Sequence, residues 1–369
     1  MQRFLRAMRN LLFSFNVLAS VLSVGVYAAA YVSPSTWWPM TFFPYLGLPL
    51  LLVHLGFVVW WSLGRRWYAL LSVGTLLAGW QVNNATFQLS WRQDKSPGQL
   101  KVMTYNVGNF NENGLTPALQ QNTRNQVLEL IQKQAPDLLA LQEYRSKSRG
   151  EGGFTDRLFR EAGFETGYFE KIMFTGNATH SGIAIFSRHP IIAKGFVPFH
   201  VFQTVNACIW VDVVTPFDTL RFVNVHLQSN HLKGHEAPYF QGIPPTNDPE
   251  KRKGILRVFG KLRDAALQRA EQAHKVQALL DTTPYPVILC GDFNDLPASY
   301  AHRTIRNNMR DTFVSKGNGT GNTYAGPFPS FRIDQIMADR KFGVGSHQVI
   351  KNRNSDHYPV VASLYQANR

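Results

Sequence analysis

Cysteine is scarce: Cys208 and Cys290 are the only two in 369 residues. A lone pair excludes a disulfide framework and a cysteine-rich zinc site. Both lie in apolar, strand-like runs, which fits two buried thiols and leaves a single bridge open. Acidic residues are also few, 24 against 38 lysines and arginines, and none precedes Asp94. The net charge is +5 through residue 94 and +9 over the remainder. Such an excess suits anionic partners such as nucleic acid, phospholipid headgroups or phosphate esters. There is no internal repeat, no low-complexity tract and no Cys/His set with zinc spacing. His231 and His235 are four apart, but Gly234 and Pro238 beside them argue against a shared helical face.

Charge is missing altogether from Leu11 to Val32, a run long enough to cross a bilayer. Pro34, Trp37, Trp38 and Pro39 follow as a turn with an aromatic, interface-like composition. Two more apolar runs, 41–61 and 67–82, lie either side of Arg65 and Arg66. Residues 1–84 are therefore expected to hold three transmembrane spans (11–32, 41–61, 67–82), the third the shortest. A signal peptide is the alternative for the first, disfavoured because it is too long and others follow. Arg3, Arg6, Arg9, Arg65 and Arg66 place the N-terminus and the second loop in the cytoplasm. Three spans then put the rest of the chain outside the inner membrane, on the periplasmic side in a Gram-negative cell. Residues 85–99, ending in Lys-Ser-Pro-Gly, are expected to be a linker.

From Leu100 the texture changes to strands alternating with helices. Strands are expected at 100–107, 136–144, 182–187, 208–214, 220–227, 331–337 and 358–365, with helices over 123–134, about 253–281 and 299–309. The pivotal stretch is Pro286–Pro297, an apolar run ending in Gly291-Asp292-Phe293-Asn294. On an extended chain residues i and i+2 point the same way. Asp292 and Asn294 should therefore share a cleft while Phe293 turns into the core. Many strands and few helices imply an α/β domain over 100–369, with two packed sheets and helices outside.

Several other strands end in the same residue types. Asn106 is in step with Val102 and Thr104, and Glu143 with Leu139 and Leu141. Asn224 and His226 share a face. Asp334 sits between apolar neighbours, and Asn354-Ser355-Asp356-His357 opens the last strand. Each has an ordinary reading as a turn, surface or core residue. Together they are harder to explain, because acids within apolar strands are costly unless paired or ligating. Their hard oxygen donors suit Mg²⁺ or Mn²⁺.

The motifs TYNV, LQE, HSGIAIFSR, NVHL, GDFND, RID and SDHYP, in this order over about residues 100–365, resemble the endonuclease/exonuclease/phosphatase superfamily, the DNase I-like phosphoesterases. The resemblance implies a four-layer α/β/β/α sandwich with the cleft at one edge of two sheets. It implies that Asn106, Glu143 and Asp356 hold the metal. Asp292 would orient or deprotonate the attacking water, and Asn294 would steady it. His357 would contact the phosphate, its tautomer fixed by Asp334, with His226 as the second histidine. The implied reaction is in-line attack of water on phosphorus.

The motifs leave the substrate open. Nuclease-type hydrolysis of a phosphodiester is the first expectation. A phospholipid or sphingolipid phosphodiesterase, an inositol-phosphate phosphatase and a silent phosphate-binding module are the alternatives. Substrate contacts are expected from Asn224 and from Lys233, within a long segment (231–253) that also carries Tyr239 and Phe240.

Overall fold

The computed structural model describes residues 1–90, 100–111, 116–147, 153–176, 179–199, 204–232 and 249–367. The chain opens with helix α1 (Gln2–Ala29), a 3-10 helix (Trp38–Leu46) that runs into α2 (Gly47–Ser62), α3 (Arg66–Ala78) and α4 (Trp80–Thr86). The described residues hold two helices long and apolar enough to cross a membrane, Gln2–Ala29 and the continuous Trp38–Ser62. The third expected span is corrected. Over 67–82 the chain forms the 13-residue α3, broken from α4 at Gly79. At 1.5 Å per residue α3 is about 20 Å long, short of a hydrocarbon core of about 30 Å.

The three long helices pack up, down and up. Asn16 and Ser20 of α1 meet Ser72 and Thr75 of α3 in the same order, so these two helices run parallel. The packing is inverted relative to a water-soluble bundle. Asn16, Ser20, Ser23, His54 and Ser72 are buried, while Leu11, Phe15, Leu18, Val21, Leu52 and Trp60 are exposed. His54 bridges the bundle, with Nε2 3.1 Å from the Ser23 hydroxyl and Nδ1 3.0 Å from that of Ser72.

The remaining elements are β1 (Gln88–Leu89), β2 (Leu100–Asn106), α5 (Pro117–Gln134), β3 (Leu138–Lys147), α6 (Phe154–Ala162), β4 (Thr166–Gly176), β5 (Thr179–Ser187), β6 (Ile191–Pro198), β7 (Ala207–Val214) and β8 (Thr219–His226). They continue with α7 (Pro249–Asp281), β9 (Val287–Asp292), α8 (Tyr300–Arg306), β10 (Arg310–Asp311), α9 (Thr312–Lys316), β11 (Asn318–Gly319), β12 (Asp334–Ala338), β13 (Phe342–Val349) and β14 (Val360–Gln366). Two six-stranded sheets result, ordered β13-β14-β2-β3-β5-β4 and β10-β12-β9-β8-β7-β6. In each, a central parallel pair (β2 with β3, β8 with β9) is flanked by antiparallel neighbours.

Alternation along the strands creates three apolar layers. Val102, Ala140, Ile209, Phe222, Ile288 and Ile336 meet between the sheets. Met103, Leu139 and Leu141 face α5 and α6, where Val127, Ile131 and Leu158 complete the layer. Val223, Leu289 and Phe293 face α7 and α8, against Val276 and Ile305. This is the α/β/β/α sandwich expected from the sequence. Cys208 and Cys290 are buried and free, in different layers.

The linker expectation needs amendment at its start. Residues 85 and 86 close α4, and β1 pairs antiparallel with β11 of the sandwich. Arg332 donates 2.9 Å to the carbonyl of Ala85, and the Tyr45 ring lies 5.6 Å from Phe331. Phe42 stacks edge-on against Phe259 of α7, and the Arg303 guanidinium sits 3.9 Å over the Tyr31 ring. The sandwich thus rests on the end of the bundle opposite Arg3, Arg6 and Arg9.

Candidate active site

The layer between the sheets turns polar where β2, β3, β8 and β9 end. Following Val102 and Thr104, Asn106 faces inward at the end of β2. Following Ile288 and Cys290, Asp292 does so at the end of β9, while Phe293 is buried among the α7-facing residues, as expected. Gly291 makes the exit of β9 feasible. Its φ is +140°, and a Cβ there would lie 1.9 Å from the Val225 carbonyl oxygen, which only glycine avoids.

Glu143 reaches the site by a route the alternation argument does not describe. Leu139 and Leu141, with which it was expected to be in step, point toward the helices. The pairing of β3 with β5 slips between Leu141 and Tyr144, and Glu143 adopts φ +48°. This bulge turns the carboxylate out of the helix-facing row and into the cleft. Asn106 Nδ2 then donates to Glu143 Oε1 (3.2 Å) and to Asp292 Oδ2 (3.0 Å). Asn109, also left-handed at φ +52°, donates to Glu143 Oε2 (3.0 Å) and accepts from the Ser181 hydroxyl (2.5 Å).

Asn224 is buried away from the cleft, which corrects its expected contact with substrate. Its Nδ2 donates to the carbonyls of Leu141 (3.1 Å) and Ala184 (2.8 Å), and its Oδ1 accepts from Gln142 (2.7 Å). It therefore braces the bulge that presents Glu143. Lys233 lies outside the described residues, as do His235, Tyr239 and Phe240.

The histidines face Asp292 from two sides. His357 Nε2 and His226 Nε2 each lie 3.7 Å from Asp292 Oδ2, and His226 Nε2 is 3.9 Å from Glu143 Oε1. The other nitrogen of His357, Nδ1, is 2.9 Å from Asp334 Oδ2. Burial alone would lower the His357 pKa, but Asp334, Asp292 and Asp356 hold it well above the usual imidazole value. Burial dominates at His226, which is lowered. Asp292 is pushed up to about 6, first by burial and then by Asp334. Glu143 is raised by burial and by Asp356. Asn294, at φ +50°, donates its backbone N–H to Asp292 Oδ1 (2.8 Å) and its amide to the Leu227 carbonyl (3.0 Å).

Glu143, Asp292, Asn294, Asp356 and His357 line one pocket of about 320 Å³. Asp334, Asp292 and His357 also form a tight acid–imidazole cluster able to approach a single ion. The donor set fits a hard divalent cation: carboxylates crowd one cleft, where burial and the neighbouring Asp356 and Asp334 raise Glu143 and Asp292, an excess of negative charge that a cation offsets.

Part of the support was not foreseen from sequence. Arg269 of α7 is buried and donates to Asp295 (2.9 Å), to the Gln228 carbonyl (3.0 Å) and to Asn230 (2.9 Å). It ties together the segments that follow β8 and β9. Tyr45, from the bundle, lines the same pocket as Asp292 and His357. No local motif marks either residue.

The model of the Endonuclease/Exonuclease/phosphatase family matches residues 103–357. The chain belongs to this family. A second model, described as a domain of unknown function, matches residues 9–86. No curated protein sequence matches. Among solved structures, the human Nocturnin catalytic domain with bound sulfate anion aligns with a TM-score of 0.52 at 17% identity, covering 76% of this chain and 97% of that one. An endonuclease/exonuclease/phosphatase from Beutenbergia cavernae DSM 12333 gives 0.51 at 18%, covering 73% and 72%. D. rerio TDP2 complexed with single strand DNA product gives 0.50 at 13%, covering 73% and 100%. At these identities the likeness is one of fold, and it agrees with the sandwich topology of this family member.

Proposed function

We propose that this endonuclease/exonuclease/phosphatase family member is a membrane-anchored, divalent-metal-dependent phosphoesterase that hydrolyses phosphodiester bonds. The observation that carries the reading is the convergence of Asn106, Glu143, Asp292 and the Asp334–His357 pair at one end of the inter-sheet layer. Asn106, Glu143 and Asp356 would hold Mg²⁺ or Mn²⁺, which would supply charge neutralisation for the phosphoryl oxygens.

The chain's own groups account for the rest. Asp292, with its raised pKa and acceptor oxygens, suits a base that aligns a water and takes its proton. Asn294 fixes that carboxylate through its backbone N–H. His357, kept charged by Asp334, donates from Nε2 to a phosphate oxygen as negative charge accumulates. His226 offers a second ring nitrogen across the cleft.

Anchoring is supported by the inverted bundle. Apolar side chains cover its outside and a bonded set of Asn, Ser, Thr and His fills its inside, the arrangement that hydrocarbon favours. Arg3, Arg6, Arg9, Arg65 and Arg66 gather at the end away from the sandwich. With α3 and α4 together carrying the chain back along the bundle, the positive-inside rule favours a sandwich on the outer, periplasmic side. A reporter fused after Arg369 should read as exported.

Nuclease-type hydrolysis has the support of the TDP2 structure that holds a single strand DNA product. The test of the general reading is Glu143→Ala in the full chain. It should lower Mg²⁺-dependent hydrolysis of bis-p-nitrophenyl phosphate by at least about 100-fold. Added Mg²⁺ should raise the melting temperature of the parent protein and leave that of Glu143→Ala unmoved. Full turnover in Glu143→Ala would refute the mechanism.

A further inference from the structure

A second cavity adjoins the catalytic pocket. It encloses about 590 Å³ between the bundle and the sandwich, within the range of small-molecule sites, roughly 300–1,000 Å³. Tyr45, Leu262, Leu296, Pro329 and Phe331 line both cavities, so a wall of apolar and aromatic residues is common to the two. Beyond that wall the cavity is bounded by Phe42, Leu48, Val258 and Phe259. Among the described residues its one charged lining side chain is Arg332, which already bonds Asp311, Gln335 and the Ala85 carbonyl. Glu143, Asp292, Asp356 and His357 line the neighbouring pocket and not this one.

We propose that this cavity receives the hydrocarbon tail of the substrate, which makes the substrate an amphipathic phosphate ester with its phosphate at Glu143, Asp292 and His357. The assignment rests on the phosphoesterase reading above and specifies its substrate class. Polarity divides sharply at the shared wall, as it does between the head and tail of such an ester. The division is built by the bundle: Phe42, Tyr45 and Leu48 come from the segment that opens the second long apolar helix. Trp37 and Trp38, just before it, are exposed at that same end, where an interfacial belt would hold them at headgroup level. A tail could therefore pass from the bilayer surface into the cavity while its phosphate stays in the polar pocket. A polynucleotide would set sugars and further phosphates against a wall whose shared lining residues, among those described, are Tyr45, Leu262, Leu296, Pro329 and Phe331, none of them cationic.

The full chain in nanodiscs decides the matter with Mg²⁺ and two p-nitrophenyl phosphodiesters that differ only in the second ester group, methyl or octyl. The octyl ester should show kcat/KM at least about 30-fold higher, since each methylene withdrawn from water is worth roughly three- to fourfold. Val258→Trp, which fills the cavity, should bring that ratio close to one. As this variant could fail to fold, a second measurement needs neither variant nor turnover. Octyl phosphate should bind the parent protein at least about 30-fold more tightly than methyl phosphate, with empty nanodiscs subtracted. Equal rates for the two esters overturn the tail site while leaving the phosphoesterase reading in place, and equal affinities overturn it too. Tail-dependent binding without hydrolysis of either ester keeps the site and removes the phosphoesterase reading. Cleavage of single-stranded DNA in preference to the octyl ester overturns the proposed substrate class.

Discussion

The Asp334–His357 pair offers a quantitative test of the chemistry. Asp334→Asn keeps an oxygen for the Nδ1 proton but removes the charge. The Nδ1–Oδ2 separation is 2.9 Å, and the side chains are 7% and 1% exposed, so solvent screens little of the interaction. A buried hydrogen bond to a charged partner contributes about 1.5–3 kcal/mol. If that stabilisation is felt where charge develops on the phosphate, the loss corresponds to roughly a 10- to 100-fold fall in kcat. The pH profile should move as well. Asp334 is the strongest influence keeping His357 protonated against the effect of burial, so its neutralisation lowers that pKa. The alkaline limb of kcat should shift to lower pH in Asp334→Asn. The assay is hydrolysis of bis-p-nitrophenyl phosphate by the full chain with Mg²⁺ from pH 5.5 to 9.5, with His357→Ala and the double variant alongside. Because the two residues act as a unit, the double variant should be no slower than His357→Ala alone. Parent-like kcat with an unmoved alkaline limb, or fully additive losses, would refute the assignment.

Asn224→Ala removes two donations to backbone carbonyls and should reduce stability by about 2–3 kcal/mol in urea melts. It should lower kcat far more than it raises KM, whereas a substrate-binding role would raise KM. Gly291→Ala forces a Cβ onto the Val225 carbonyl and should abolish folded protein on size exclusion; a well-folded variant would show that β9 leaves the sheet differently. His302 and His347 are buried, with pKa values lowered to about 3 and about 4, first by burial. A depressed folded-state pKa means that the unfolded chain takes up protons first. Their contribution is therefore intact above about pH 6.5 and is lost as the pH falls toward about 4 for His347 and about 3 for His302. By pH 5 the loss from His347 amounts to roughly 2 kcal/mol. Comparing melts at pH 7.5 and 5 should show a smaller loss for His347→Asn, and an unchanged difference would count against the reasoning.

How much of this was legible in the sequence depended on whether local pattern or long-range packing decided each residue. Asp292 and Phe293 could be read directly, because an apolar run ending in glycine fixes a strand end; Asn294 lies past that end at φ +50° and meets Asp292 through a turn rather than through strand alternation. Glu143 was identified for a reason the structure overturns: a one-residue slip in β3 reverses its face, and alternation is blind to a bulge. Asn224 was placed on the correct face but too near the cleft, since sequence gives the side of a sheet and not the depth beneath its edge. The third apolar run had the composition of a span, yet it breaks at Gly79. Strands such as β6 went unannounced because Ile191–Pro198 is largely exposed and mixed in composition. Arg269 and Tyr45 act across long sequence separations, which no spacing rule reaches.

The junction carried by Arg332, Tyr45 and the β1–β11 pair has a practical bearing on how this protein is handled. A fragment starting at residue 100 would keep every acid and histidine of the cleft. It would also bare the guanidinium of Arg332, strip one side from the pocket and leave β11 an open edge. Such a truncated protein would be a different catalyst, and selectivity measured on it would describe the cut surface.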